Sequence, residues 1–443
     1  MFSKVSTKQI WSIAYPIIIG SIAQNILNVT DTAFLGRLGE IALGGGVIGG
    51  LFYQVLLMIG WGTALGGQII IARRFGEGAN RAIGRVVEHL FYFLSVLSLL
   101  LIVLVKFFSG SLLGVLVESH DVLNAGKEFI DYRILGLLLA FINYSFNSFY
   151  VGIAKTKVIT VTTVVMVVVN IILDYALIFG HFGLPTMGIA GAALASVISE
   201  ATSCTLFIVY TRFKFNYKPF NLFKFAPLNK KLLFRLLNVA WPLMIQFSLS
   251  IFIWFVFFLL IEKMGETSLA VSNILRSVYI VLMIPIWGFA SATNTLVSQL
   301  IGQGRSSDVL YLIRKVITLS MSGVFVLGVI FISIPRLLLQ VYTNNLMLIE
   351  QSLPVVYIIA IAAVGMAGAF VMFSGVSGTG NTRVSFAIEV GTLVLYLAWA
   401  YLMAIVFKMP LSWVWCSEIL YGVVVMLVSL WYLKSNRWHG TTV

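Results

Sequence analysis

Residues 15–39 read YPIIIGSIAQNILNVTDTAFLGRLG, and this stretch decides the fold class. It is apolar enough to enter a bilayer, yet it carries Gln24, Asn25, Asn28, Thr30 and Asp31 on the way through. An ionised Asp near a bilayer centre costs about 2.5–3.5 kcal/mol on insertion scales. Gln24, Asn28 and Asp31 are spaced i, i+4 and i+7, so they form one stripe on a helical face. The stripe is expected to look into a protein cavity and not into lipid. The bland alternative is an Asp31 that sits wet at the helix end.

The rest of the chain has the same character. Of its 443 residues 60% are hydrophobic and 10% charged, with a mean hydropathy of +1.01. Soluble domains carry about 25% charged residues, so this is an all-α polytopic membrane protein. Runs of about 20 apolar residues give twelve transmembrane helices: 9–33, 43–71, 87–107, 127–150, 158–180, 187–211, 238–261, 269–298, 311–333, 351–374, 384–407 and 411–433. An even number of crossings puts both termini on one side. The net charge of +13 would suggest nucleic acid in a soluble chain. Here most of the basic residues, from Lys4 and Lys8 through Arg73, Arg74, Arg81 and Arg85 to Arg383, Lys434 and Arg437, fall at one set of helix ends. Those faces are expected to be cytoplasmic, and the charge needs no nucleic-acid partner. Acidic residues outside helices, among them Glu118, Asp121 and Glu262, collect at the other ends. The expected location is a bacterial inner membrane or plasma membrane, with multiple passes and both termini cytoplasmic. Residues 1–9 are short and polar, and no cleaved leader is expected. Cys204 and Cys416 lie inside helices and give no disulfide or metal pattern.

An internal repeat organises the chain. Leu38-Gly39-Glu40 returns as Met264-Gly265-Glu266, Trp61-Gly62 as Trp287-Gly288, Gly76-Glu77-Gly78 as Gly302-Gln303-Gly304, and Tyr15-Pro16 as Trp241-Pro242. Every pair is 226 positions apart, as 39 and 265 or 16 and 242. The expected domains are an N-lobe over 1–211, a cytoplasmic linker over 212–237 and a C-lobe over 238–443. Six helices per lobe is an even number, so the two lobes form a parallel repeat with a binding cavity expected between them. The linker, basic and partly amphipathic, reads as a surface strap on anionic headgroups. The repeat also isolates an asymmetry, because Asp31 maps to Phe257, Asn170 to Tyr396 and Asp174 to Ala400. Packing alone would not confine the polar groups to one half.

Asn170 and Asp174 are i, i+4 and share a face of the fifth span. At about 1.5 Å per residue, Asp174 lies about 24 Å and Asp31 about 33 Å from the inner ends of their helices. Both then sit in the outer part of the membrane. Two carboxylates in one low-dielectric pocket disfavour joint ionisation, so such a pair can hold a shared proton or a monovalent cation. The alternative is two unrelated acids at helix ends. Pro16 removes a helical hydrogen bond and makes a bend in helix 1 possible. Asn143 and Asn147 are candidate cavity residues with Gln24 and Asn28, the competing reading being interhelical hydrogen bonds. Arg276 either faces the cavity or snorkels outward. Met283 and Met366 suit an adaptable apolar binding surface or plain packing. Glu200 and Glu418 are second titrating groups or interhelical polar residues, and Glu389 is expected to snorkel from a cytoplasmic helix end. No phosphate-binding Gly-Lys-Ser/Thr loop occurs, no catalytic constellation appears, and no cofactor is expected. Transport would have to be driven by an ion gradient.

These residues resemble the MATE (multidrug and toxic compound extrusion) family, and its DinF-like branch in particular. The resemblance rests on the two six-helix halves, on Thr30-Asp31-Thr32-Ala33-Phe34-Leu35-Gly36, and on Asn170 and Asp174 followed by Gly188-Ile189-Ala190-Gly191-Ala192-Ala193. It implies an antiporter of amphipathic, cationic small molecules driven by H+ or Na+, acting as a monomer and not an enzyme. It also implies that Pro16, Asp31, Asn170 and Asp174 form the switch of the N-lobe. Leu27 stands where the branch often has Tyr, and Ser196 is the nearest polar residue to a helix 6 partner expected at Ala192. The acids that another branch carries in helices 7 and 10 are absent from 238–261 and 351–374. A flippase for a lipid-linked sugar is the alternative of related architecture. It would need a strongly cationic central groove, for which Arg276 alone is well placed.

Overall fold

The computed structural model describes residues 5–116 and 119–441; Lys4 and Glu118, both used in the charge argument, lie outside them. The helices run α1 (Thr7–Leu38), α2 (Glu40–Gly76), α3 (Asn80–Leu116), α4 (His120–Arg133), α5 (Gly136–Gly152), α6 (Lys157–Phe179) and α7 (Gly188–Val209). After the strap come α8 (Lys230–Glu262), α9 (Glu266–Gly302), α10 (Val309–Ser333), α11 (Pro335–Gln340), α12 (Leu346–Gly378), α13 (Thr382–Tyr401), α14 (Leu411–Trp415) and α15 (Ser417–Lys434). No strand occurs among the described residues. Among the described residues, eleven helical segments are long and apolar enough to cross a membrane, and α4 with α5, taken as one bent span, brings the number to twelve. That count agrees with the apolar runs.

The fourth span departs from its expected continuous form. It breaks at Ile134 and Leu135, and its two pieces meet at a 51° bend. Several of the other helices run one or two turns past their apolar runs, as α1 does to Leu38 and α2 to Gly76.

The repeat is legible in the backbone. Gly39 and Gly265, which separate α1 from α2 and α8 from α9, have φ of 113° and 112°, and Gly78 and Gly304 both have 72°. An L side chain is strained in that region, which explains why glycine recurs at the same offset. The chain divides into two compact units, Ile19–Met244 and Met1–Ile18 with Ile245–Val443. These boundaries differ from the expected cut at the linker. They fall inside α1 and α8, just after Pro16 and Pro242, so each of these two helices contributes to both units.

Within each unit, small residues set the helix spacing, as they do where lipid supplies no hydrophobic drive. In the first unit, α6 and α7 approach so closely that a Cβ on Gly191 would lie 2.7 Å from the carbonyl carbon and oxygen of Leu177. In the second, a Cβ on Gly378 of α12 would lie 2.7 Å from the Asn294 carbonyl of α9. Large apolar side chains such as Phe107, Val326 and Trp431 remain exposed on the outside, where acyl chains would cover them.

Gly191→Ala is expected to destabilise the folded protein by about 1–3 kcal/mol, since only backbone can yield. Gly50→Ala, where a Cβ meets nothing within 4 Å, should be neutral or slightly stabilising, by up to about 1 kcal/mol. Thermal unfolding of the detergent-purified variants reads both.

Candidate functional site

The polar residues of the first unit converge where α1 lies against α6. Gly20 faces Thr163, and the Phe34 and Phe179 rings meet edge to face with centroids 5.8 Å apart. Asp31, in the same helix as Gly20 and Phe34, is thereby placed beside Asn170 and Asp174, both of which are fully buried. With its amide nitrogen turned toward the two acids, Asn170 donates to Asp31 Oδ1 at 3.2 Å and to Asp174 Oδ2 at 3.0 Å, while its oxygen accepts from the Ser196 N–H at 3.1 Å. That orientation follows from the hydrogen-bond pattern: it satisfies every group of the amide, which the reverse orientation does not. The two carboxyl groups are also within hydrogen-bonding reach of each other. Asp174 Oδ1 is buried and meets no N–H or O–H donor among the described residues.

A second charge pair sits close by, and sequence reasoning missed half of it. Arg133, the last residue of α4, donates to Glu200 of α7 through both terminal nitrogens, at 3.0 and 2.6 Å. The same guanidinium donates to the Tyr53 hydroxyl at 3.1 Å and lies 4.0 Å from the centroid of that ring. It is near enough to act electrostatically on both Asp31 and Asp174. Gly136, the first residue of α5, leaves room for this pair. A Cβ on Gly136 would lie 2.3 Å from Glu200 Oε2 and 2.6 Å from Arg133 Nη1. Glu200 is thus an interhelical ion-pair partner. The available signal was an unmatched Arg inside the fourth apolar run opposite an unmatched Glu in the sixth.

The remaining expected cavity residues scatter. Asn143 donates to the Glu200 backbone carbonyl at 3.0 Å, an interhelical bond. Gln24 and Asn147 are half-buried and Asn28 is exposed. Arg276 is half-buried with its guanidinium 5.7 Å from the Phe258 ring centroid. Met283 and Met366 are 1% and 2% exposed. The expectation that they present a surface to ligand is not met in this structure, because helix packing encloses both.

The second unit corrects the expectation for Glu389 and shows Glu418 as an interhelical polar residue. Glu389 does not snorkel: it is 4% exposed, and its oxygens accept from Ser250 Oγ at 2.7 Å and the Tyr421 hydroxyl at 2.9 Å. Glu418 is 2% exposed and accepts from the Tyr279 and Tyr396 hydroxyls, both at 2.9 Å. This half therefore has buried acids of its own, at positions that do not match those of the first half. Phe257 and Tyr396, the counterparts of Asp31 and Asn170, pack with ring centroids 5.3 Å apart. Aromatic contact stands where the first unit has a carboxyl group and an amide.

Twelve apolar spans in two repeated halves, with buried acids held inside each, define a polytopic membrane protein built as an internal repeat. The MatE family model matches residues 16–176 and 242–402, and the chain belongs to that family. The two matches begin and end 226 positions apart, as the repeat does. A relative from Thermotoga maritima named "Probable multidrug resistance protein NorM" is 26% identical over 453 residues, covering 98% of this chain and 94% of its own. The fold is that of solved MATE transporters. An outward-facing multidrug resistance MATE family transporter superposes with a TM-score of 0.90 at 18% identity, covering 98% and 97% of the two chains. A variant of the Vibrio cholerae MATE transporter VcmN gives 0.89 at 17% identity, covering 98% of each.

Removing one member of a buried ion pair costs about 3–5 kcal/mol because the other charge is left unmatched. Arg133→Met should therefore lower thermal stability strongly, and Arg133→Met with Glu200→Leu should recover most of the loss. A double-mutant cycle by thermal unfolding measures the coupling.

Proposed function

We propose that this chain is a secondary active exporter of amphipathic organic cations, driven by a proton or sodium gradient and coupled at Asp31, Asn170 and Asp174. The observation that carries the reading is one Asn170 amide bridging two carboxyl groups that also reach each other. A proton between the acids, or a monovalent cation among their oxygens, completes a set that otherwise leaves Asp174 Oδ1 without a donor. Its departure leaves negative charge that an organic cation can balance. Ion and substrate then compete for overlapping stabilisation, which is the reciprocal linkage antiport requires.

Helix α1 is the natural moving element. It carries Asp31, and its membership changes from one compact unit to the other just after Pro16, where the helical ladder lacks a hydrogen bond. The name of the Thermotoga maritima relative supports multidrug export. The exporter acts as a monomer in a bacterial inner or plasma membrane, with both termini and the strap cytoplasmic, an orientation supported by the distribution of Lys and Arg.

Asp31→Asn mimics a permanently protonated acid, so it should fold and insert normally yet lose at least about tenfold in gradient-driven efflux. Asp174→Asn should behave alike, and the double variant should be little worse than either. The assay is export of a fluorescent cation from proteoliposomes under an imposed proton or sodium gradient. Wild-type rate with unchanged pH dependence in Asp31→Asn would overturn the coupling site. For topology, Lys231→Cys in a background with Cys204→Ser and Cys416→Ser should react with an impermeant thiol reagent only after permeabilisation of cells. Reaction in intact cells would reverse the orientation.

A further inference from the structure

Between α7 and α8 the chain forms a strap that is held to α3 by groups the transport site does not use. α7 ends in one π-helical turn, Tyr210–Lys214, and a short 3-10 turn follows at Lys218–Phe220. The Phe220 side chain is buried, with its ring centroid 5.5 Å from that of Phe149 and 5.7 Å from that of Phe215. Glu88 of α3 accepts the backbone N–H groups of Lys224, Phe225 and Ala226 at 2.8, 2.8 and 3.0 Å. The neighbouring His89 accepts from the Asn229 N–H through Nε2 at 2.8 Å, and Tyr92 donates to the Ala226 carbonyl at 3.2 Å. The strap crosses Gly84 so closely that a Cβ there would lie 2.3 Å from the Phe220 carbonyl oxygen. Its backbone is fixed.

This fixed strap and the start of α3 border an open surface cavity of about 600 Å³ lined by Arg81, Asn216, Lys218, Pro219, Asn221 and Lys224. That size suits a small-molecule group, for which pockets run from about 300 to 1,000 Å³. Three cations and two amides line it, with no carboxylate. None of these three cations takes part in an ion pair among the described residues. Glu88, the acid beneath the strap, spends both oxygens on backbone N–H groups. The lining therefore offers only positive charge and amide groups to a ligand, which is the chemistry of a phosphate site.

We propose that this cavity binds the phosphate of an anionic phospholipid headgroup. A free phosphate ion has the same chemistry, but the surroundings favour the lipid. Phe213, Phe225, Leu228 and Phe234 are 78%, 64%, 54% and 75% exposed along the same segment. Exposed aromatic and aliphatic side chains interleaved with Lys and Arg mark a segment lying in a membrane interface. A soluble anion would need none of them. The headgroup would tie the strap, and with it the junction of the two repeated halves, to the composition of the surrounding leaflet.

The full-length protein in phosphatidylcholine nanodiscs doped with a fluorescent phosphatidylglycerol provides the test, read as energy transfer from protein tryptophan to the lipid. Saturable enrichment is expected around the wild type. It should weaken at least about tenfold when Arg81→Gln, Lys218→Gln and Lys224→Gln are combined. Lys230→Gln, Lys231→Gln and Arg235→Gln together remove the same charge from exposed positions at the start of α8 and should change binding less than about twofold. Phe225→Ser with Phe234→Ser should weaken the lipid while leaving any response to inorganic phosphate unchanged. Equal losses in the two triple variants would overturn the proposal in favour of diffuse surface charge. Displacement of the lipid by millimolar inorganic phosphate or glycerol 3-phosphate would overturn it in favour of a soluble anion site. Efflux assays on the same variants keep this outcome separate from that of the coupling site.

Discussion

No water reaches the hydrocarbon core to solvate a stray polar group, so every buried acid in this chain has to be met by a partner from the protein itself. Three solutions coexist here. Asp31 and Asp174 share one amide. Glu200 takes a guanidinium. Glu418 and Glu389 take hydroxyl donors. These solutions differ in what they permit. The Glu200 carboxylate is matched by the fixed charge of Arg133 and the pair acts as a brace, whereas Asp31 and Asp174 are bridged by a neutral amide that brings no charge of its own.

The brace sits at the irregular part of the first unit. α4 stops at Arg133 and α5 begins at Gly136 after a 51° bend, and the residue at the break is the one that holds Glu200. The guanidinium at the break then stands within electrostatic reach of Asp31 and Asp174 without being bonded to them. Backbone irregularity at membrane depth is tolerated where protein surrounds it, and here it delivers a fixed positive charge to the neighbourhood of the acids.

The two halves share a scaffold and have parted company in their interiors. Glycines with matching φ persist at one offset because the turns they make admit nothing else. Side chains inside each unit are freer, since a different set of partners can satisfy the same spacing. Where one unit places Asp31 and Asn170, the other packs Phe257 against Tyr396, and that tyrosine then serves Glu418 from another helix. The first half does not hold a monopoly on buried charge. It holds the only acid pair linked by one amide among the described residues.

The sequence by itself determined the class of the protein, the number of spans, the repeat and its offset, and the identity of Asp31, Asn170 and Asp174 as the residues to watch. These are properties of neighbouring residues: hydropathy over about 20 positions, i, i+4 spacing, and glycine at turns. Tertiary structure alone decided who meets whom. Arg133 and Glu200 are 67 residues apart, and Tyr279 and Glu418 are 139 apart, with no local pattern to link them. The same distance hid the burial of Glu389, which sits near a helix end by count yet faces Ser250 and Tyr421. Met283 and Met366 failed as surface residues for the matching reason. Periodicity tells which side of a helix is apolar, but only packing against other helices tells whether that side is covered.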